Sequence, residues 1–194
     1  SNITGSGTSW NTDGCGHGTH VAGTIAALRN DIGVVGVNPN GVGLHIVKFF
    51  SDSCQAGFGS SIVDAVNKCK AAGANVISMS LGGPQSSTSE QQAFQTAFNE
   101  GILIVAASGN GQEENPGSKS YPASYSSVVS VAAVDESKTV TTFSQQNNEV
   151  DIAAPGLNVL STWSSKENSK IVAGAKTYEA SGIDASKRTD ATGV

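Results

Sequence analysis

Long apolar runs, cysteine and an excess of positive charge are all scarce in this chain. The longest purely apolar stretch, Ile102 to Ala107, is far too short to span a bilayer. Lys and Arg number 11 against 16 Asp and Glu, for a net charge of -5 and a sequence pI of about 5.1. That balance argues against a surface for nucleic acid or anionic membrane. No Gly-x-Gly-x-x-Gly follows any strand pattern, which removes a nucleotide-binding doubly wound domain. Three cysteines, Cys15, Cys54 and Cys69, leave one unpaired and do not by themselves fix the compartment. There is no internal repeat and no signal peptide, and the first residue is Ser1, so the chain reads as processed or excised. What is plentiful is glycine, 23 among 194 residues, which implies many tight turns and close backbone approaches. With 38% hydrophobic and 14% charged residues, the length suits one globular domain.

The most informative stretch is Cys15-Gly16-His17-Gly18-Thr19-His20-Val21-Ala22-Gly23-Thr24. Val21, Ala22, Ile25, Ala26 and Leu28 recur at near-helical spacing, which predicts a helix over 17–28 with His17 in its first turn. An imidazole there, where a loop meets a rigid element, is well placed to transfer a proton. Upstream, residues 1–16 read as a surface loop. Further on, Leu44 to Phe50 reads as a strand, and a helix with Ser60 or Ser61 as cap buries Ile62, Val63, Val66 and Cys69. Strands are expected over 75–81, 102–107, 128–134 and 150–153, with a helix over 89–100 whose Phe94, Ala97 and Phe98 point inward. Strands alternating with helices, and apolar on both faces, predict an α/β fold: a mostly parallel sheet with helices on both faces. In such sheets function gathers at the carboxyl ends of strands. Those ends carry Ser80-Leu81-Gly82-Gly83 and Ser108-Gly109-Asn110. After Trp163 the apolar pattern thins and Lys166, Lys170, Lys176, Lys187 and Arg188 cluster, so a boundary is placed near residue 164.

Taken in order, several motifs carry a resemblance. They are His17-Gly18-Thr19-His20-Val21-Ala22-Gly23-Thr24, Ile77 to Gly83, Ala106-Ala107-Ser108-Gly109-Asn110, Tyr121-Pro122-Ala123 with Val128 to Val134, and Ala154-Pro155-Gly156. Over roughly residues 10–163 the chain resembles the catalytic domain of the subtilisin-like serine proteases, the subtilases. The resemblance implies a secreted, extracellular serine endopeptidase that works through an acyl-enzyme. It makes His17 the general base and Asn110 the side-chain donor of the oxyanion hole. Ser80, Leu81 and Gly82 would pair with an extended substrate, with Gly57-Phe58-Gly59 on its other side. Ala106, Ala107, Ser108 and Gly109 would line the specificity pocket. Leu28, Asn30, Ile32 and Val34 match a calcium loop of backbone carbonyls and one Asn side chain, donors that suit a hard cation. Cys54 and Cys69 are the candidate disulfide, with two free thiols as the alternative. The resemblance also implies polypeptide substrates and a monomer, leaves room for a propeptide inhibitor, and implies no organic cofactor.

The subtilisin triad runs Asp, His, Ser along the chain. Neither an Asp-bearing strand well before His17 nor a Gly-Thr-Ser turn after Ala154-Pro155-Gly156 is found, so both partners are expected outside these residues. Gly7-Thr8-Ser9 precedes the histidine and opens no helix, and Asp13 stands where the family has a substrate-cleft residue. Residues 1–163 are thus expected to be a partial catalytic domain, and 164–194 a boundary segment that begins an inserted domain. Two alternatives stay open at this point. Cys15, His17 and His20 could bind zinc, with the histidines three apart on one helix face. The whole could also be a catalytically inactive subtilase-like module that binds peptides by strand addition.

Overall fold

The computed structural model describes residues 10–56, 60–164, 170–173 and 176–178. In chain order its elements are α1 (His17–Ala26), α2 (Ser60–Ala71), β1 (Val76–Met79), α3 (Thr88–Asn99), β2 (Leu103–Ala107), β3 (Val129–Val134), β4 (Ile152–Pro155), β5 (Thr162–Trp163), β6 (Lys170–Ala173) and β7 (Lys176–Tyr178). The described residues form two compact units, 62–159 and 10–61 with 160–178, and each is taken by itself.

The unit of residues 62–159 is an α/β unit with an entirely parallel sheet in the order β1-β2-β3-β4. The strands show period two: Ile104 and Ala106 on β2 are 0% and 2% exposed, whereas Leu103 is 47% exposed. Helix α3 starts where Ser87, in extended backbone, accepts the Glu90 N–H on its hydroxyl at 3.5 Å. It ends at Gly101, whose left-handed φ of 87° lets its N–H reach the Phe98 carbonyl. Phe94 and Ala97 are fully buried, and Phe94 stacks on Tyr125 with ring centroids 5.7 Å apart. Phe98 was expected inward but is 50% exposed, because it occupies the last turn, just before the chain swings away at Gly101. On α2, Ile62 and Val66 are buried one turn apart.

The other unit is built differently. Among the described residues every buried apolar side chain lies between Ile62 and Ala132, so none belongs to the unit that carries α1. It holds together through hydrogen bonds, an ion pair and a disulfide. Helix α1 stops at Ala26 rather than Leu28: Ala27 turns extended, and the chain folds back so that Gly36, Val37 and Asn38 donate to the carbonyls of Ala27, Thr24 and Ile25. Across α1 runs a strap of three hydroxyls. Ser161 Oγ donates to His20 O at 2.6 Å, Thr162 Oγ1 to Thr19 O at 2.8 Å, and Ser164 Oγ to Asp13 O at 2.6 Å. Gly23 makes the strap's approach possible, since a methyl group there would lie 2.1 Å from Thr162 Oγ1 and 2.5 Å from Ser161 Oγ. Strands β5, β6 and β7 form an antiparallel sheet. The expected boundary segment 164–194 otherwise lies outside the described residues.

Leu44 to Phe50 is not a strand. Only an isolated bridge forms at Lys48, and Leu44 is 43% exposed. Among the described residues no ladder runs along this stretch, so its apolar composition does not by itself make it a strand.

Candidate active site

His17 opens α1, and the five residues before it are each tied down. Lys48, 9% exposed, donates to Thr12 O at 2.6 Å and forms a close ion pair with Asp52. Asp52 Oδ1 also accepts the Gly14 N–H at 3.1 Å. The Asp13 carbonyl takes the Ser164 hydroxyl, and Cys15 is disulfide-bonded. Asp13 Oδ1 accepts the Gly16 N–H at 2.8 Å, while its Oδ2 accepts the Thr19 N–H at 2.8 Å and the Thr19 hydroxyl at 2.6 Å. Asp13 therefore satisfies backbone donors that the start of a helix leaves open. Gly16 has a left-handed φ of 87°, and a methyl group on it would lie 2.5 Å from the Trp163 ring.

The imidazole itself is half-buried, with the Phe50 ring 5.7 Å away. Its Nε2 is buried and has no hydrogen-bond partner among the described residues. Burial pushes the His17 pKa below the ordinary 6.5; the negative Asp13 opposes the drop, and His20 adds to it. A histidine held neutral, with one ring nitrogen uncommitted, can accept a proton. His20 is half-buried, edge-on to Trp163 at 6.1 Å.

The disulfide joins Cys15 to Cys54, not Cys54 to Cys69 as expected. The Lys48–Asp52 pair and the Asp52–Gly14 bond draw the two loops together, leaving the Cα atoms 5.1 Å apart, inside the usual disulfide range. Cys69 is a free thiol on α2, and burial raises its pKa. With its sulfur bonded, Cys15 cannot act as a thiolate ligand, which removes the zinc alternative. No group of three or more His, Cys, Asp or Glu able to hold a metal occurs among the described residues. The loop from Leu28 to Val34 offers other donors. Among the described residues no backbone N–H takes the carbonyls of Leu28, Ile32 or Val34, and Asn30 Oδ1 receives only a long 3.3 Å bond from Ile32 N. This set of available oxygens fits a hard cation.

In the α/β unit, Met79 pairs with Ala106 in register, so the turns that follow β1 and β2 emerge side by side at one end of the sheet. Ser80, Leu81 and Gly82 form the first turn; Ser108, Gly109 and Asn110 form the second. The two turns approach a shared neighbour, Ser120, through Gly82 and Gly109. A methyl group on Gly82 would lie 2.5 Å from Ser120 Oγ, and one on Gly109 would lie 2.9 Å from Ser120 Cβ. Gly83 and Tyr121 exchange two backbone hydrogen bonds, and Gln145 N donates to Gly109 O. Asn110 is exposed and its amide makes no hydrogen bond among the described residues, so it remains available as a donor. Ala106 and Ser108 are each 2% exposed on one side of the strand, whereas Ala107 and Gly109 lie on the other, half-buried. The Ser108 hydroxyl is engaged, donating to Gln145 O at 3.3 Å. Gly57 lies outside the described residues.

Sequence reasoning set Asp13 aside as a substrate-cleft position and missed Lys48, Asp52, the hydroxyl strap, Ser120 and Gln145. The strap's partners lie up to 151 residues away, beyond any local spacing, whereas Asp13 bonds only three and six residues on, at Gly16 and Thr19.

No helix among the described residues is long and apolar enough to cross a membrane. Residues 2–187 match the Subtilase family. Among curated proteins, Subtilisin DY of Bacillus licheniformis is 48% identical over 161 residues, covering 82% of this chain and 58% of that protein. Subtilisin Savinase of Lederbergia lenta is 46% identical over 151 residues, covering 78% of this chain and 54% of its own. Among solved structures, the psychrophilic subtilisin-like protease Apa1 from the Antarctic psychrotroph Pseudoalteromonas sp. AS-11 superposes with a TM-score of 0.78 at 47% identity, covering 86% of this chain and 38% of that one. The chain thus spans less than two thirds of the length of these relatives.

Proposed function

The chain belongs to the subtilase family, and from that membership we propose that it supplies the general base, oxyanion donor and substrate strand of a secreted serine endopeptidase. The observation that carries this reading is His17: an imidazole at the start of a rigid helix, its flank tied residue by residue, its Nε2 buried and unpartnered among the described residues. In acyl transfer such a base takes the proton from a serine hydroxyl as it attacks the scissile carbonyl, then returns it to the departing amine. Asn110 is the proposed donor to the oxygen on which negative charge develops; its exposed, uncommitted amide supports the role. Ser80, Leu81 and Gly82 follow directly on β1, one of the two edge strands of the parallel sheet among the described residues, and an extended peptide can add to such an edge through its backbone. Ala107 and Gly109 carry the proposed specificity pocket more than Ala106 and Ser108, whose side chains are buried. A cation held by Leu28, Asn30, Ile32 and Val34 would supply a fixed positive charge that orders the loop after α1. The Cys15–Cys54 disulfide suits an oxidising, extracellular setting.

No residue among the 194 is assigned as the triad's serine or orienting aspartate, so the chain alone is proposed to bind peptides without turning them over. The test is hydrolysis of a denatured protein substrate by the full-length protein, with and without a serine-directed fluorophosphonate. Hydrolysis that the reagent abolishes supports the reading. Peptide binding with no hydrolysis assigns the protein as an inactive binding module instead.

A further inference from the structure

We propose that Asp13 is a positioning residue for His17: its carboxylate fixes the first turn of α1, on which the imidazole stands, and sets a negative charge within that turn. The inference rests on the reading of His17 as a base only for its catalytic meaning; the physical claim stands on geometry. Both Asp13 oxygens are occupied by donors that flank His17 in sequence, Gly16 N–H on one side and the Thr19 N–H and hydroxyl on the other. Three donors thus converge on this one carboxylate. It also cannot wander. The carbonyls of Thr12 and Asp13 are taken by Lys48 and Ser164, the Gly14 N–H by Asp52, and Cys15 is covalently joined to Cys54. A helix cap alone needs one or two side-chain bonds. Anchoring every residue from Thr12 to Gly16 is what a functional group requires when it must be held to a fraction of an ångström by its supporting shell.

The charged neighbours of His17 are few. Asp13 opposes the lowering of its pKa by burial, and His20, on the same helix, reinforces it. Lys48 and Asp52, on the segment that brings Phe50 against the ring, are paired with each other. Asp13 is thus the negative charge that bears on His17 without a cationic partner of its own among the described residues. Its effect is to keep the imidazole a stronger base than burial alone would leave it.

The test is an NMR titration of the histidine ring signals in the full-length protein, with His17 assigned through His17→Gln and His20 and His45 as internal references. In Asp13→Asn, whose amide oxygen can still cap the helix, the His17 pKa is expected to fall below that of the parent, and Asp13→Glu to restore it. If the full-length protein is active, the acid limb of its kcat profile moves to lower pH with the same variant. In the parent, the Asp13 carboxyl carbon should register the ionisation of His17, because the charge that appears on the ring acts back on the carboxylate. Should Asp13→Asn fail to fold, Asp13→Ser, which can cap but carries no charge, is titrated in its place. A His17 titration unchanged in the neutral variant, with only a loss of thermal stability, makes Asp13 a cap and overturns the proposal. A shifted titration in a protein without hydrolytic activity upholds it while refuting the proposed function.

Discussion

Replacing Gly23 by alanine offers a contrast between what sequence and structure each expect. In a ten-residue helix, Gly→Ala should stabilise by about 1 kcal/mol through helix propensity. The structure reverses the sign. The new methyl group would sit 2.1 Å from Thr162 Oγ1, 2.5 Å from Ser161 Oγ and 2.9 Å from Thr162 N, so the strap must lift. Lifting it breaks the hydrogen bonds from Ser161 to His20 O and from Thr162 to Thr19 O, at about 1 kcal/mol each. Overpacking against backbone adds about 1–3 kcal/mol. After the propensity gain is subtracted, the net loss is about 2–4 kcal/mol, enough to lower a urea midpoint by about 1 M or more. The assay is urea denaturation followed by tryptophan fluorescence, because the chain's two tryptophans, Trp10 and Trp163, both belong to the unit that carries α1. An unchanged or raised midpoint would show that the strap does not bear on α1 as described.

Three further outcomes follow from the site. Thiol titration of the native protein should find Cys69 as the reactive group within this chain, and peptide mapping should recover Cys15 joined to Cys54; recovery of Cys54 joined to Cys69 would contradict the structure. Reducing the bond, which closes a loop across a separation of 39 residues, should cost about 3–4 kcal/mol. Because burial holds the folded-state pKa of His17 below the unfolded value near 6.5, the unfolded chain takes up the proton first as pH falls. The histidine's contribution is therefore present above that value and lost as pH drops through the folded pKa, and His17→Gln should flatten that stretch of the stability–pH curve. If the oxygens of Leu28, Asn30, Ile32 and Val34 hold calcium, EDTA should lower the Tm and added calcium should restore it; a Tm indifferent to both removes the assignment.

Much of the sheet was legible because its signals are local. Ile102 to Ala107 is an apolar run bounded by Gly101 and Gly109, and Phe94 and Ala97 mark the inward face of α3 between Ser87 and Gly101. The turns carrying Ser80 to Gly82 and Ser108 to Asn110 were legible as glycine-marked strand ends, and the parallel register then sets them side by side. His17 was visible as a histidine behind a glycine turn. What surrounds it was not. Asp13 looks like a loop residue until its bonds to Gly16 and Thr19 are seen, and Lys48 looks like a solvated charge in a strand rather than a buried tie. The cysteine pairing failed for the same reason. The resemblance suggested Cys54 with Cys69, whereas the Lys48–Asp52 contacts bring Cys54 to Cys15. Leu44 to Phe50 had the composition of a strand, but among the described residues it runs in no ladder, which composition does not decide.

The central claim is that His17 is the base of a serine endopeptidase, and replacing it tests that claim most directly. In the full-length protein, His17→Ala should cut kcat on a peptide substrate by about six powers of ten, a size borrowed from loss of the triad histidine in a subtilisin, while the far-UV spectrum stays unchanged. A folded His17→Ala protein that hydrolyses the substrate at the parent rate would contradict the account.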